Sequence, residues 1–449
     1  MEELSGLNHY LFVTVFLYNF SMFMVIPAIT DVTMSAICPG KDKCSLAIYL
    51  TGFQQAVFSI IGLGTLVTMP MVGNLSDKYG RKALLAVPMT LTIIPLGVLA
   101  YSRERNFFYL YYVLKTLTAM VCEGSVHCLA LAYVADNVPE WQRASAFGVL
   151  SGIGSSAFVC GTLSTRFLST SSTFQVAASV AVVAAVYTRV FLPDSIVKDG
   201  LSVPIISEEK LYITKPDGES TRNGNSTQLF KRMPSLEDMV CLLKASSTFS
   251  QAAIVAFFSN LADVGLHASM MYYLKARFHF NKDQFADLMV ISGIAGTISQ
   301  LLIMPKLVPA FGEEKLLSVG LFFGCAHMFL YSIAWSFWVP YVAAMFSILF
   351  VFSHPCMRSI VSKQVGSCEQ GMAQGCISGI CSFANVVSPL AFSPLTALFL
   401  SDRAPLNFPG FSIMCIGFAS MIAFIQSLTI RAAPPISSHR GSNCNHAVA

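Results

Sequence analysis

The sequence predicts an all-α membrane protein with twelve transmembrane helices in two pseudo-symmetric six-helix bundles. The first observation is composition: of 449 residues, 54% are hydrophobic and only 12% are charged, whereas soluble domains carry about 25% charged residues. The second is the presence of twelve apolar stretches near the roughly 20 residues that a membrane-spanning helix needs. The third is an internal repeat. The composition argues against a soluble enzyme, and the small net charge of +4 gives no case for nucleic acid binding.

The predicted spans form two groups of six, separated by a polar segment. They lie at 9–29, 47–72, 83–101, 107–135, 144–168 and 172–192, and at 247–274, 285–305, 315–334, 337–357, 371–400 and 409–430. The polar segment is rich in Ser, Asp, Glu, Lys and Asn, a composition typical of a flexible tether. We therefore divide the chain into an N-terminal bundle (1–192), a cytoplasmic linker (193–245), a C-terminal bundle (246–430) and a cytoplasmic tail (431–449).

The two halves share a repeated segment. Residues 64–85 align without gaps with residues 296–317, and both copies follow the second span of a half. Parallel repeats of this kind are how many transporters are built. The second copy is degenerate, since Pro309 stands where the first copy has Asp77.

A short charged loop, Gly73–Lys82, joins the second and third spans and reads GNLSDKYGRK. Such a loop must lie outside the hydrocarbon, and its three basic residues predict the cytoplasmic side. Because twelve spans put both termini on one side, we assign both termini to the cytoplasm as well.

This loop resembles the signature between the second and third helices of the major facilitator superfamily, a family of transmembrane transporters. The pattern is G-x-L-x-D-x-x-G-R-K, and every fixed position is present: Gly73, Leu75, Asp77, Gly80, Arg81 and Lys82. The resemblance implies two six-helix bundles around a central cavity, and transport by alternating access. No GxxxxGK[ST] loop for ATP occurs in the chain.

Charged side chains inside the spans are candidate functional groups, because each costs roughly 2.5–3.5 kcal/mol near the bilayer centre. The fourth span carries Lys115, Glu123 and His127 on one helix face. The seventh span carries Asp263 and His267, four residues apart and hence on one face.

Further polar groups lie in the first span, at Tyr18 and Asn19, and in the tenth, at His354. In the superfamily that the chain resembles, spans one, four, seven and ten line the central cavity. The predicted cavity would bind a small-molecule substrate, with Glu123 or Asp263 taking up a proton after burial raises its pKa. The alternative is a structural pair, for example Glu123 with Lys115 or His127, that holds helices together.

A second loop, AYVADNVPEWQRASAFG at 132–148, resembles that of the tetracycline-resistance-like transporters and their hippocampus-abundant-transcript-like relatives. The resemblance implies that Asp77, Arg81, Asp136 and Arg143 form a cytoplasmic charge cluster. Such a cluster would latch one conformation and release it when the bundles rock.

The chain also departs from these relatives. Proton-coupled tetracycline exporters carry acids in the first and third spans, where this chain has approximately Tyr18 and Pro95. Their antiporter signature in the fifth span carries Gly-Pro, and here Thr162 stands at the proline position. These departures weaken the assignment to antiport and leave the predicted fold unchanged.

The leading interpretation is a secondary active transporter of a small organic solute, working as a monomer by proton-coupled antiport. The alternatives are an uncoupled facilitator and a non-transporting membrane receptor that retains the fold. We expect no enzymatic activity, cofactor or metal site. A disulfide between Cys38 and Cys44 stays open, as does the choice between the plasma membrane and an internal membrane such as the vacuole.

Overall fold

The computed structural model describes residues 2–37, 62, 64–122, 124–193, 243–244, 246–280, 282–366, 369–400, 404–406 and 408–430. These residues are almost entirely helical, and they include no β-strand. Glu123, Cys38, Cys44 and most of the predicted linker lie outside the described residues. The predicted bundle and linker boundaries therefore stay a prediction.

The described helices follow the predicted spans in order. In the first half they are α1 (Glu2–Ile37), α2 (64–79), α3 (Arg81–Tyr101), α4 (Arg105–Cys122), α5 (Ser125–Asn137), α6 (Glu140–Ser164) and α7 (Thr170–Phe191). In the second half they are α8 (Ser247–Phe278), α9 (Lys282–Ile298), a π-helical turn (Ser299–Ile303), α10 (Met304–Phe311), α11 (Glu313–Ser332), α12 (Val339–Phe350), α13 (Ser353–Lys363), α14 (Gln370–Phe399) and α15 (Phe411–Ser427).

Three predicted spans are not single regular helices. The fourth is divided into α4 and α5 around Gly124, whose φ of 77° is a left-handed conformation that favours glycine. The tenth is divided into α12 and α13, and the eighth contains the π-helical turn. Within the part of the chain that the structure describes, nine helical segments are long and apolar enough to cross a membrane.

The tenth span is predicted to end at about 357, and the helix α13 continues past this position to Lys363. Its last turns pack against α11 and α14. Lys363 pairs with Glu313 at the start of α11. This extension places Arg358 inside the helical span.

The internal repeat predicted from sequence has the same backbone in both halves. Gly80, between α2 and α3, has φ 90° and ψ 145°, and Gly312, between α10 and α11, has φ 80° and ψ 155°. Positive φ at both positions requires the conformational freedom of glycine. The second and third spans of each half therefore meet in the same turn.

The two halves are in backbone contact where α2 packs on α14. A Cβ atom added at Gly371 would clash with the carbonyl oxygen of Gly73, and one at Gly375 would lie 2.5 Å from that of Met69. Small residues at helix crossings allow this close approach in membrane proteins. We call the end of the molecule that carries this Gly73–Gly371 contact, with the α2–α3 and α13–α14 junctions, the latch end.

Candidate functional site

The latch end contains a buried ion-pair cluster. The Nε atom of Arg81 lies 2.8 Å from Oδ2 of Asp136, at the last turn of α5, and Arg81 also pairs with Asp77 one turn before it. Only 4% of the Arg81 side chain is exposed. Three of the four residues in the predicted charge cluster are thus brought together, on three helices of the N-terminal bundle.

Asp77 links this cluster to the C-terminal bundle. Its two carboxylate oxygens accept hydrogen bonds from the backbone N–H groups of Gly371 and Met372, each at 3.0 Å. These N–H groups belong to the first turn of α14, which is an electropositive helix end that favours an anion. Burial nevertheless raises the pKa of Asp77 to about 6, outweighing the opposing effects of Arg81 and the two N–H groups.

Arg143 makes a separate contact across the same interface. Its Nη1 donates a hydrogen bond of 3.2 Å to the carbonyl oxygen of Ser362, in the last turn of α13. A cation is favoured at that electronegative helix end. Within its own bundle Arg143 lies 3.9 Å from Glu140 and remains in electrostatic range of Asp136.

The remaining predicted latch residues have distinct places. Gly73 makes the close contact with α14, and Gly80 forms the positive-φ turn. Lys82 is half-buried in the first turn of α3, next to Arg81.

The second half has a matching ion pair of reversed sign, which the sequence reasoning missed. Glu313 occupies the repeat position of Arg81, and its Oε1 lies 2.5 Å from Nζ of Lys363 at the end of α13. Ser359 donates a hydrogen bond of 2.6 Å to the other carboxylate oxygen. The signal was present in the repeat alignment, where an acid stands in place of the arginine.

Four of the predicted cavity residues lie on α5, α8 and α13. The side chain of His127, on α5, is exposed, and it lies within electrostatic range of His354. His354, on α13, is half-buried and within electrostatic range of Asp263. On α8, Nε2 of His267 lies 3.9 Å from Oδ1 of Asp263, and both side chains are accessible.

Lys115 and Asn19 occupy other parts of the N-terminal bundle. Lys115 lines a cavity of about 210 Å³ between α1, α3 and α4, together with Tyr111 and Pro95. Asn19 is half-buried, and its amide faces Gly154 on α6. Because the fourth span is divided between Lys115 and His127, the two residues do not share the continuous helix face predicted for them.

A buried arginine on α13, Arg358, was not predicted as a functional residue. Nη1 of Arg358 donates to the carbonyl oxygen of Gln374 at 3.0 Å, to its amide oxygen at 3.4 Å and to the Ser378 hydroxyl at 3.1 Å. The Gln374 amide donates back to the Arg358 carbonyl oxygen at 3.2 Å. The sequence contained a signal for this residue, because Arg358 follows His354 by four residues and hence shares its helix face. Arg358 lies one residue past the predicted span.

The π-helical turn lies beside the break between α12 and α13. Ser299 donates a hydrogen bond of 2.5 Å to the carbonyl oxygen of Ile348, and Gln300 donates one of 3.4 Å to that of Val351. These bonds satisfy carbonyl groups near the helix break. Gln300 also accepts a bond of 3.2 Å from Ser155 on α6, in the other bundle. A π-turn inside an α-helix is often found at a functional site.

Comparison with known proteins decides the family. The family model described as Major Facilitator Superfamily matches residues 11–389. The chain belongs to the Major Facilitator Superfamily. Members of this superfamily are transmembrane transporters of small molecules, and the chain is accordingly an integral, multi-pass membrane protein.

Curated relatives place the chain near two groups of the superfamily. It is 25% identical over 361 residues to the human hippocampus abundant transcript 1 protein, covering 78% of this chain and 66% of that protein. It is 25% identical over 371 residues to multidrug resistance protein 2 of Bacillus subtilis, covering 82% and 84%. A class G tetracycline resistance protein of Vibrio anguillarum is 20% identical over 348 residues. The match spans about two thirds of the length of the hippocampus-abundant-transcript relatives.

A solved structure confirms the predicted fold. The chain superposes on the human organic anion transporter MFSD10 (TETRAN) with a TM-score of 0.74 over 94% of this chain and 99% of that one, at 16% sequence identity. At that identity the likeness shows the fold alone. The all-α fold of two pseudo-symmetric six-helix bundles is therefore confirmed.

Proposed function

We propose that this chain is a secondary transporter that moves a small organic solute across a membrane by alternating access. The observation that carries the proposal is the contact of Asp77 with Gly371 and Met372, which joins the two bundles at the latch end. The exposed side chain of His127, in electrostatic range of His354 and Arg358 in the other bundle, supports a solute path between the same two bundles. Since both bundles belong to one chain, we propose that a monomer is the working unit.

The latch contacts have the strength that a reversible gate needs. Opening the latch end breaks both hydrogen bonds to Asp77 and the bond from Arg143 to Ser362. Hydrogen bonds to charged groups contribute about 1.5–3 kcal/mol each. Their gross sum is comparable to the roughly 5.5 kcal/mol that moves a two-state equilibrium from 1:99 to 99:1, and the burial of ionised Asp77 offsets part of it. Occupancy of the cavity can therefore decide which state is populated.

We further propose that transport is coupled to protons in an antiport cycle. Nε2 of His267 and Oδ1 of Asp263 lie 3.9 Å apart and both side chains are accessible, which makes this pair a candidate for the proton site. Glu123 is the other candidate carboxyl by its position in the fourth span. The names of the bacterial relatives, a multidrug resistance protein and a tetracycline resistance protein, agree with export of organic solutes.

An uncoupled facilitator is the second candidate. It is favoured by Tyr18 and Pro95, which stand approximately where proton-coupled tetracycline exporters carry acids. Under this alternative the carboxylates of the cavity have a structural role, and solute would only equilibrate across the membrane.

Solute flux in proteoliposomes tests both proposals. The full chain would be reconstituted and offered radiolabelled organic anions, organic cations, sugars and tetracycline, with and without an imposed pH gradient. Accumulation against a gradient only when the pH gradient is present supports coupling. Flux that equilibrates regardless of pH contradicts it. Asp263→Asn and Glu123→Gln should abolish accumulation, whereas Glu104→Gln, an exposed acid before α4, serves as the matched control.

A further inference from the structure

Arg358 is a buried cation with no carboxylate partner among the residues that the structure describes. Only 8% of the residue is exposed, and no carboxylate of the described residues lies within ion-pair distance of it. Removing an ionised group from water without a counter-charge costs several kcal/mol in proteins. Such a residue inside a candidate membrane span is therefore a candidate for a functional site.

The guanidinium of Arg358 is held in one orientation. All three of its hydrogen bonds to the described part of the chain are made by Nη1, to Gln374 and Ser378 on α14. The reciprocal bond from the Gln374 amide to the Arg358 carbonyl group ties α13 and α14 together. The side chain is thus positioned before any ligand arrives, which reduces the entropy lost on binding.

The opposite edge of the guanidinium remains available. Nε and Nη2 make no hydrogen bond with any described residue, and neither is among the buried polar atoms that lack a partner. They therefore reach accessible space. Two parallel N–H donors on one edge fit the two oxygens of a carboxylate, sulfonate or phosphate group.

Two histidines lie in electrostatic range of Arg358, His127 on α5 and His354 on α13. A neutral imidazole donates one ring N–H, which an oxyanion can accept. The described carboxylate in range of His354 is that of Asp263, which already has His267 as its partner. One guanidinium and two imidazoles, from both bundles, thus lie within electrostatic range of one another.

We propose that the central cavity binds an organic anion, with its oxyanion group on the Nε and Nη2 edge of Arg358 and between His127 and His354. This inference rests on the proposed function, because it treats the cavity as the solute path. The bound group would supply the counter-charge that none of the described residues gives Arg358. The bound anion would also lie close to the latch end. Gln374, which accepts from Arg358, is two residues from Met372, and the Met372 N–H group donates to Asp77.

Binding to the purified full chain tests this inference. Isothermal titration calorimetry would compare three probes of one size: 2-naphthoate, 2-naphthylmethylamine and 2-naphthylmethanol. We expect 2-naphthoate to bind most tightly, and Arg358→Gln to weaken its binding roughly 10- to 100-fold, the effect of losing hydrogen bonds to a charged group. Arg358→Lys keeps the charge without the two-donor edge and should be intermediate. Arg189→Gln, at an exposed position of α7, should change nothing.

The outcomes separate this inference from the transport proposal. Three results would overturn the anion site. The cationic or neutral probe could bind as tightly as 2-naphthoate or more tightly, or 2-naphthoate could fail to bind. The third is unchanged binding of 2-naphthoate to a monodisperse Arg358→Gln variant. Proteoliposome flux of a cationic or neutral solute would then leave the transport proposal standing. Anion binding that depends on Arg358 without flux of any anion supports the site and contradicts transport.

Discussion

Arg81 and Glu313 begin equivalent helices in the two halves of the chain and carry opposite charges. Each forms an ion pair with a residue at the end of the following span: Arg81 with Asp136 at 2.8 Å, and Glu313 with Lys363 at 2.5 Å. The turn that precedes them has the same positive φ in both halves. Both halves therefore place a buried ion pair at this corner, with the signs in opposite order.

Reversing the charges of the ion pair between Glu313 and Lys363 should be tolerated only when both residues are changed together. Glu313→Arg places a second cation beside Lys363, and breaking a buried pair typically costs about 3–5 kcal/mol. The double variant Glu313→Arg with Lys363→Asp restores attraction and should recover most of the melting temperature. Lys315→Glu, at an exposed neighbouring position, is the control. A single variant as stable as the parent chain would show that the pair contributes little.

Lowering the pH should favour the latched state. Burial raises the pKa of Asp77 from the ordinary 3.8 to about 6 in this state, so the latched state binds the proton more tightly than an opened state in which Asp77 is solvated. The penalty for ionised Asp77, present above pH 6, is lost progressively as the pH falls toward 3.8. Between pH 7.5 and 5 the latched population should rise about tenfold relative to the opened one.

The pH effect can be measured as a distance between the bundles. Spin labels at Lys82→Cys and Lys315→Cys, in a chain with its reactive native cysteines replaced, report the separation of α3 and α11 at the latch end. Asp77→Asn should abolish the pH dependence between 7.5 and 5. A pH response that survives this substitution would assign the effect to another group.

The contact between Gly73 and Gly371 should be intolerant of any side chain. A Cβ atom at Gly371 clashes with the Gly73 carbonyl oxygen and with the guanidinium of Arg81, so Gly371→Val should prevent closure of the latch end. We expect flux to fall tenfold or more and the labelled α3–α11 distance to lengthen. Gly366→Val is the control, because a Cβ atom at Gly366 meets nothing within 4 Å. Normal flux in Gly371→Val would contradict the latch.

Gln300 should couple α6 of the N-terminal bundle to the break between α12 and α13. Gln300→Leu removes the hydrogen bonds to Val351 and Ser155, which should cost about 1–3 kcal/mol of stability where a buried group is left unpaired. Ser155→Ala removes only the bond between bundles and should alter flux more than melting temperature. Ser179→Ala, which affects an exposed bond within α7, is the comparison. Equal effects of the two serine variants would indicate that the bridge has no special role.

The fold could be predicted because the signals were local. Apolar length defines a span, and the alignment of residues 64–85 with 296–317 revealed the repeat. Asp77 and Arg81 share one short motif, and the family resemblance supplied Asp136. These elements required no knowledge of which distant helices meet.

The missed features depend on tertiary contacts. Arg358 lay past the predicted span because hydropathy ended at 357, whereas the actual helix is extended by the pairing of Lys363 with Glu313. Lys115 and His127 were placed on one face because a straight helix was assumed, and the turn at Gly124 divides it. The arrangement of His127, His354 and Arg358 joins two helices from different bundles, which no spacing along the chain encodes.

The reversed ion pairs have a consequence for assembly. Two halves with related sequences risk pairing helices from the wrong half as the chain enters the membrane. Packing α3 against α13 would set Arg81 beside Lys363, and packing α11 against α5 would set Glu313 beside Asp136. Both mistakes bring like charges together in a partly dehydrated site, which is strongly unfavourable. The opposite signs thus favour pairing of helices within each half. The two halves keep related folds, and pairing between helices of different halves is disfavoured during folding.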